Sequence, residues 1–397
     1  MFPFAVKPSA EVCTGDGRGP DTVNRLLLHG ARYHDRPAVF LCWKQALEGG
    51  CWRETPDWEA DRRAVRVGLA LSQRLGVAAG ETVALWLPLG REWALIERGV
   101  WSIRAVSVPI WPEWKLVQVM EVLRDTRPAV LFASDPKTLR ALSAMGGMPS
   151  SLRLAVLLEG AANEDSQVAS YAEFMSYGGV LDTPELASRL RRTACEVRPE
   201  TALSLEYSVG SGSLESGTLD HRTLARAMET ILRRFPPRAR RVQLVCTDQP
   251  DRLSRALVYA GWADGLTQTA FGAPTVAREQ AAGLVPDLLV CRSEAWSDVI
   301  QALPGPRAPR ASKWGIIARL WNIRGSQPPR ADEGRRSWVV VTDIPTTCSL
   351  STEGAEGEAT RFVPDPDIVI PRASPSMSPA PGMGDSSASG VSPSGDD

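Results

Sequence analysis

Short apolar runs alternate with helical patterns along most of the chain. The runs are bounded by polar or small residues, which is typical of buried strands. They predict strands at 82–87, 105–110, 129–133, 153–158, 242–246, 287–291 and 338–342. Alternation of this kind predicts an α/β fold in which parallel or mixed sheets are layered with helices.

Two three-residue signals indicate where helices begin. Thr55-Pro56-Asp57 combines a capping residue, a proline and an early acid, and it precedes a helical pattern over 58–75. Thr183-Pro184-Glu185 repeats the signal before 186–196. Apolar positions that share one face predict further helices at 91–103, 115–126, 137–145, 222–234, 252–265, 294–303 and 313–321.

Composition divides the chain into three parts. Residues 1–20 carry no secretory pattern and are expected to be flexible. Residues 21–345 are predicted to form one domain, and 346–397 a low-complexity, largely disordered tail. From about residue 371 the tail is Ser, Pro and Gly with three Asp, too polar to bury a core. Order within 346–370 is left open.

Charge and cysteine usage narrow the class of protein. The net charge of −1 gives no overall attraction to nucleic acid, so no nucleic-acid partner is expected. No apolar run is long enough for a transmembrane segment. The seven cysteines are scattered and unpaired in sequence, which favours reduced thiols in a cytoplasmic protein. Cys246 and Cys291 close apolar runs and are expected in the core.

The stretch 207–221 has the outline of a phosphate-binding loop. Its small residues, Gly210 to Ser213, allow backbone N–H groups to turn inward around an anion. Nucleotide-binding loops usually add a lysine to hold the phosphate charge. Here Glu215 and Ser216 stand where the lysine is expected. The pattern by itself indicates either a damaged nucleotide site or a plain connection.

The order of segments resembles the N-terminal region of the adenylate-forming (AMP-binding) acyl-CoA synthetases, nearest to the long-chain fatty-acid type. Residues 21–41 are similar to that family's opening helix and first strand, and 68–111 to its leading βαβ unit. Residues 197–224 resemble the approach to its phosphate loop, the loop and the exit into a helix, and 285–302 the following strand and helix. The likeness covers about residues 20–300.

The resemblance implies particular site residues. The family's loop reads roughly Tyr-Thr-Ser-Gly-Thr-Thr-Gly-x-Pro-Lys-Gly, and Ser216 replaces its lysine. Arg255 replaces a histidine of a Pro-Leu-Ser-His segment beside the acyl and adenylate pocket. No catalytic residue and no metal ligand are assigned. The nucleotide-binding positions that remain are Ser208, Gly210, Ser211, Gly212, Ser213 and Gly217.

The substitutions weaken the expected site for ATP. At 4 Å, a carboxylate such as Glu215 repels a phosphate charge by about 1 kcal/mol in water and about 4 kcal/mol at an effective dielectric near 20. The missing lysine removes a charged contact worth about 1.5–3 kcal/mol. Together these predict an ATP affinity lower by roughly two to four decades, unless Arg222 or Arg226 compensates. N–H groups at the start of the helix near 222 are a further candidate for holding phosphate.

Other charged residues near the loop have plainer interpretations. His221 is expected to be a cap or a packing residue. Asp248 and Asp251, close in sequence to Arg252 and Arg255, favour a solvated ion-pair cluster over a general acid/base set.

Three functions remain open at this level. An intact family member would use ATP and Mg²⁺ to convert a fatty acid to an acyl-adenylate and then to acyl-CoA. The loop lacks its lysine, Arg255 replaces the histidine, and after about residue 305 no adenine, ribose or lid segment of the family is recognised. Our first hypothesis is therefore a degenerate, catalytically impaired pseudoenzyme. It would bind an acyl ligand or a partner such as an intact synthetase. The alternatives are an active or split ligase completed by a second polypeptide, and a nonfunctional fragment.

Overall fold

A computed structural model describes a set of ranges with gaps between them: residues 21–30, 38–44, 51–160, 167–209, 214–235, 241–247, 249–272, 288–291, 321–322, 336–341, 349–353 and 359–362. The helices in these ranges are α1 (Val23–Gly30), α2 (Asp57–Leu69), α3 (Arg91–Ser102), α4 (Leu116–Thr126), α5 (Pro136–Ala144), α6 (Tyr171–Leu181), α7 (Pro184–Cys195), α8 (His221–Arg234) and α9 (Arg252–Asp264).

The strands fall into two groups that form separate sheets. Those of the first sheet are β1 (Ala38–Lys44), β2 (Cys51–Pro56), β10 (Arg241–Cys246), β11 (Thr267–Phe271), β12 (Leu288–Cys291), β13 (Trp321–Asn322), β14 (Arg336–Val341), β15 (Ser349–Glu353) and β16 (Ala359–Phe362). Those of the second are β3 (Thr82–Trp86), β4 (Val106–Ile110), β5 (Val130–Ala133), β6 (Leu154–Leu157), β7 (Val168–Ser170), β8 (Ala202–Val209) and β9 (Leu214–Asp220).

Both sheets are mixed: the first has a parallel centre and antiparallel edges, and the second is parallel except at one edge. The first has the order β16-β15-β14-β12-β10-β11-β1-β2, with β13 beside β14, and its strands from β14 to β1 run parallel. The second has the order β7-β6-β5-β3-β4-β8-β9, and only its β8–β9 pair is antiparallel among the described strands. The predicted α/β fold with parallel and mixed sheets is confirmed.

The strand predictions hold because buried parallel strands are continuous apolar runs. Every strand that the pattern predicts is present with bounds within two residues. The predicted helix at 294–303 lies outside the described residues, as does most of 313–321. The last residue of that segment, Trp321, belongs to β13 and not to a helix.

The two helix-start signals have different outcomes. Thr183 caps α7 as predicted, because its hydroxyl accepts a hydrogen bond from the Leu186 N–H at 3.3 Å. Thr55 does not cap α2, so that prediction is wrong. Thr55 still belongs to the extended strand β2, Pro56 is the N-cap, and the Thr55 hydroxyl accepts from the Arg91 guanidinium at 3.2 Å.

The predicted helix at 58–75 is present but changes pitch. Helix α2 continues into a π-helical segment over Ala70–Arg74. Beside it, α6 packs so closely that a Cβ on Gly178 would lie 2.1 Å from the carbonyl oxygen of Arg66. Glycine at 178 therefore permits the contact between α2 and α6.

The buried side chains hold the sheets and helices together. The largest wholly buried ones include Trp93 and Trp101 of α3 and Trp262 of α9. Tryptophan buries a large apolar area, and its N–H needs a partner when buried. Each of these three indoles has one, namely Glu97, the carbonyl oxygen of Leu203 and Asp57, respectively.

The first sheet continues into residues 346–370, for which the sequence did not decide between order and disorder. Strands β15 and β16 both lie within 346–370 and extend the first sheet beyond β14. Residues 1–20 and 363–397 lie outside the described residues. The division into a flexible start, one domain and a disordered tail stays a prediction.

Candidate functional site

The predicted phosphate loop lies at the tip of the β8–β9 hairpin. Its centre, Gly210 to Ser213, lies outside the described residues, and the two strands on either side of it are paired. Ser208 is paired with Glu215, Tyr207 with Ser216 and Glu206 with Gly217. The side chains of Ser208 and Glu215 are exposed, whereas Gly217 is buried. The hairpin therefore brings the carboxylate of Glu215 to the side of the loop.

Helix α8 begins at the opposite end of β9 from the loop. Six residue steps separate Leu214 from Asp220, which at about 3.3 Å per residue is about 20 Å. N–H groups at the start of α8 are therefore too far to hold a phosphate at the loop, and that expectation is wrong. Arg222 is also remote, because it lies in the first turn of α8 and pairs with Glu200. Arg226 lies one turn further along α8.

His221 is a packing residue in the first turn of α8. Its side chain is buried, and its Nδ1 atom has no hydrogen-bond partner in the part of the chain that the structure describes. The N-cap is Asp220, whose carboxylate accepts from the Thr223 N–H at 2.7 Å. Burial lowers the pKa of His221 to about 4, although Asp220 acts in the opposite direction. The imidazole is therefore neutral at pH 7.

Arg255 is the centre of a buried ion-pair cluster. Its guanidinium lies 2.6 Å from a Glu97 carboxylate oxygen and 2.7 Å from Glu206, and its side chain is fully buried. Arg252 pairs with the other oxygen of Glu206. The prediction of a solvated cluster is wrong for Arg255, because α9 packs this residue against α3 and β8. Asp248, which that prediction included, lies outside the described residues.

Glu97 is fully buried, and its carboxylate accepts hydrogen bonds from several side chains. Its carboxylate accepts from Tyr259 Oη at 2.6 Å, from Ser107 Oγ at 2.8 Å and from Trp93 Nε1 at 3.0 Å. Buried charges are tolerated when they are paired and hydrogen-bonded in this way. Burial alone would lower the pKa of Arg255, but Glu97 and Glu206 outweigh it and raise that pKa.

Asp251 caps α9 next to this cluster. Its carboxylate accepts from the N–H groups of Leu253 and Ser254, each at 3.0 Å, and from Ser254 Oγ at 2.5 Å. Burial nevertheless raises its pKa to about 6. A capping role accounts for these contacts without any acid/base chemistry.

A polar contact joins the loops that follow β4 and β10, which belong to different sheets. The side-chain amide of Gln249 donates to the carboxylate of Glu113. Near it the rings of Trp111 and Trp114 lie 5.9 Å apart. Sequence reasoning did not find this contact, because its two residues are 136 positions apart and match no motif.

The cysteines and the acidic groups of the described ranges add little chemistry to the site. Cys42 and Cys246 are free, and burial raises the pKa of each thiol, to about 11 and about 12. Cys246 is in the core as predicted. Cys195 is disulfide-bonded, so the expectation of reduced thiols fails at that residue. Within the described ranges no group of three or more His, Cys, Asp and Glu could hold a metal ion.

None of the helices in the described part of the chain is long and apolar enough to cross a bilayer.

The layered sheets and the hairpin that carries a small-residue loop are those of an adenylate-forming enzyme fold. The chain belongs to the AMP-binding enzyme family, whose family model matches residues 30–254. It is 27% identical over 184 residues to the long-chain-fatty-acid–CoA ligase FadD15 of Mycobacterium tuberculosis and, to the same degree, to that of Mycobacterium bovis. The match covers 46% of this chain and 29% of each relative, so the chain spans under a third of their length.

Solved structures show the same fold. A long-chain-fatty-acid–CoA ligase, FadD1, from Archaeoglobus fulgidus aligns with a TM-score of 0.56 at 14% identity, covering 71% of this chain and 54% of that one. The N-terminal domain of FACL13 from Mycobacterium tuberculosis aligns with a TM-score of 0.51 at 16% identity, covering 70% of this chain and 65% of that one. The resemblance to acyl-CoA synthetases that the sequence carries is confirmed.

Proposed function

We propose that this protein is a degenerate acyl-CoA-ligase-like member of the AMP-binding family that acts in the cytoplasm by binding an acyl ligand or a partner. It does not activate acids with ATP. The observation that carries the proposal is the pairing of Arg255 with Glu206, on the strand that leads into the loop. A cation held between two carboxylates is neutralised and is not free to meet a phosphate.

The residues around the loop do not fit the triphosphate of ATP and its Mg²⁺. Ser216 stands at the position of the family's lysine, and Glu215 adds a negative charge beside the loop. Arg252 is paired with Glu206, and Arg222 lies at the far end of β9. Each of these features weakens an anion site, because phosphate binding depends on cations and N–H donors.

We propose that the nucleotide-binding positions inferred from the family are the remnant of its phosphate loop. They are Ser208, Gly210, Ser211, Gly212, Ser213 and Gly217. Small residues alone supply N–H donors, and without a cation these give weak binding. We therefore expect the loop to keep its backbone shape and to lack affinity for ATP.

Isothermal titration with ATP·Mg²⁺ tests the proposal directly. We expect no binding at millimolar concentration, whereas FadD15 of Mycobacterium tuberculosis, assayed in parallel, serves as the positive control. Fatty acids of several chain lengths should raise the melting temperature if an acyl ligand is bound.

Pyrophosphate exchange with a fatty acid would overturn the proposal if it depended on this loop. The diagnostic variant is Gly210→Val combined with Gly212→Val, which fills the loop with branched side chains. Exchange that the wild type shows and this variant lacks would establish an active ligase. Exchange that appears only after a second polypeptide is added would establish a split ligase.

A further inference from the structure

A small cavity lies between α1, α2, α3 and α7, away from the β8–β9 hairpin. Its volume is about 20 Å³, and it is lined by Asn24, Asp61, Arg98 and Arg191 together with apolar side chains. A cavity needs about 10–15 Å³ to hold a single water-sized particle. The space therefore accommodates one monoatomic ion or one water.

The side chains that line this cavity carry more positive than negative charge. Asp61 pairs with Arg98 and, through its other oxygen, with Arg191 at 2.7 Å. Burial alone would raise the pKa of Asp61, but the two guanidinium groups outweigh it and lower that pKa. The carboxylate is therefore ionised, and two positive charges face one negative charge. The cluster carries one excess positive charge in a largely buried setting.

One donor in the cavity is unused within the protein. The Nε–H of Arg191 is buried and has no hydrogen-bond partner among the described residues. A buried donor without an acceptor destabilises the folded protein. Asn24 does not supply the acceptor through its amide group, because that group donates to the carbonyl oxygens of Trp101 and Ala194, both at 3.1 Å.

We propose that this cavity, between Asp61, Arg98 and Arg191, is a binding site for a single chloride ion. Chloride would accept from the Nε–H of Arg191 and balance the excess positive charge. The apolar lining, which includes Val65 and Leu190, suits a weakly hydrated halide better than a hydroxide or a fluoride. The bound ion would fasten α7 to α2 and α3, which supply the other charges.

Thermal unfolding in chloride and in gluconate at equal ionic strength tests this site. A ligand that binds only the native state raises Tm with its concentration, by about 2 °C at ten times Kd for a protein of this size. The Arg191→Gln variant should lose the saturable chloride effect. Arg189→Gln removes an exposed arginine from the same helix and should keep it. Comparing each variant in both salts cancels the general effect of the salts on protein stability.

Crystals grown in bromide provide a second readout that does not need a variant. An anomalous peak within hydrogen-bond reach of Arg191 Nε is the expected result. Two outcomes overturn the proposal: a wild-type Tm that responds to chloride no more than Arg191→Gln does, or an ordered water in the cavity with no bromide signal. Arg191→Lys covers the case in which Arg191→Gln does not fold, because it keeps the charge and loses Nε–H. It should show a weaker chloride response than the wild type.

Discussion

Arg255 and Glu97 form a fully buried ion pair, with a guanidinium nitrogen 2.6 Å from a carboxylate oxygen. The pair joins α9 to α3 across 158 residues of sequence. Since Glu206 of β8 contacts the same guanidinium, the pair also fixes the strand that leads into the loop. The stability of the fold and the properties of the candidate site therefore depend on the same side chain.

Replacing Arg255 with methionine should destabilise the protein strongly. The change leaves Glu97 charged and buried without its partner, and breaking a buried pair in this way costs about 3–5 kcal/mol. The free energy of unfolding in urea measures it. The double variant Glu97→Gln with Arg255→Met removes both charges and should lose less than Arg255→Met alone.

Arg222→Met is the matched control for this prediction. Arg222 pairs with Glu200 at the surface, where 41% and 65% of the two side chains are exposed. Surface pairs contribute about 0–1 kcal/mol, so the control should be close to wild type. A loss for Arg255→Met as small as that of the control would contradict the buried-pair interpretation.

Adjacent glycines of α6 should respond in opposite directions to alanine. A Cβ on Gly178 would lie 2.1 Å from the Arg66 carbonyl oxygen, whereas a Cβ on Gly179 meets nothing within 4 Å. Gly178→Ala should therefore destabilise the fold by about 1–3 kcal/mol, because α2 and α6 must separate. Gly179→Ala should stabilise it by about 0.5–1 kcal/mol, since alanine is the better helix former. Urea midpoints that shift equally in both variants would refute the close approach.

The sequence predicted seven strands and missed others, including both strands of the β8–β9 hairpin, for a physical reason. The seven are continuous apolar runs, whereas β7, β8 and β11, which also pair in parallel, are not, and they were missed. Strand β9, with the sequence LESGTLD, is polar and reads as a loop. Strand β8 carries Glu206, whose place inside the protein depends on Arg255, 49 residues later. No local pattern reveals a partner at that distance.

The candidate site was predicted only as far as its sequence neighbours allowed. Comparison with the family's motifs located the substitutions at Ser216 and Arg255. It did not reveal that Arg255 is neutralised by Glu97, because side-chain pairing is set by the packing of α9 on α3. It also placed the start of α8 beside the loop, since β9 was not recognised between them.

His221 should make the protein less stable as the pH falls below about 6.5. Burial lowers its folded-state pKa to about 4, against an unfolded value near 6.5. Above pH 6.5 the imidazole is neutral in both states and has no effect. Between about pH 6.5 and 4 the unfolded state takes up the proton first, so this group removes up to about 3 kcal/mol of stability.

Urea unfolding across this pH range measures the effect of His221. His221→Gln should flatten the dependence between pH 6.5 and 4, because the variant has no imidazole to protonate. His34→Gln removes another of the three histidines and should leave the dependence in place. A slope that survives in His221→Gln would assign the pH dependence to other groups.

Restoring a cation at the loop should restore affinity for ATP. In the variant Glu215→Gln with Ser216→Lys, the repelling carboxylate is removed and an ammonium group stands opposite Tyr207 on the hairpin. A charged hydrogen bond to phosphate contributes about 1.5–3 kcal/mol, which corresponds to a gain of at least about tenfold in affinity. Isothermal titration with ATP·Mg²⁺ measures it.

The position of the new charge decides the interpretation. Glu215→Gln with Thr218→Lys carries the same net charge, but its lysine lies two residues further from the loop on the same face of β9. If the loop backbone still forms an anion cradle, only the lysine at 216 gains affinity, because a charge-assisted bond requires contact. Equal gains in both variants would reduce the effect to general electrostatic attraction. No gain in either would show that the loop has lost its shape as well as its cation, contrary to our prediction.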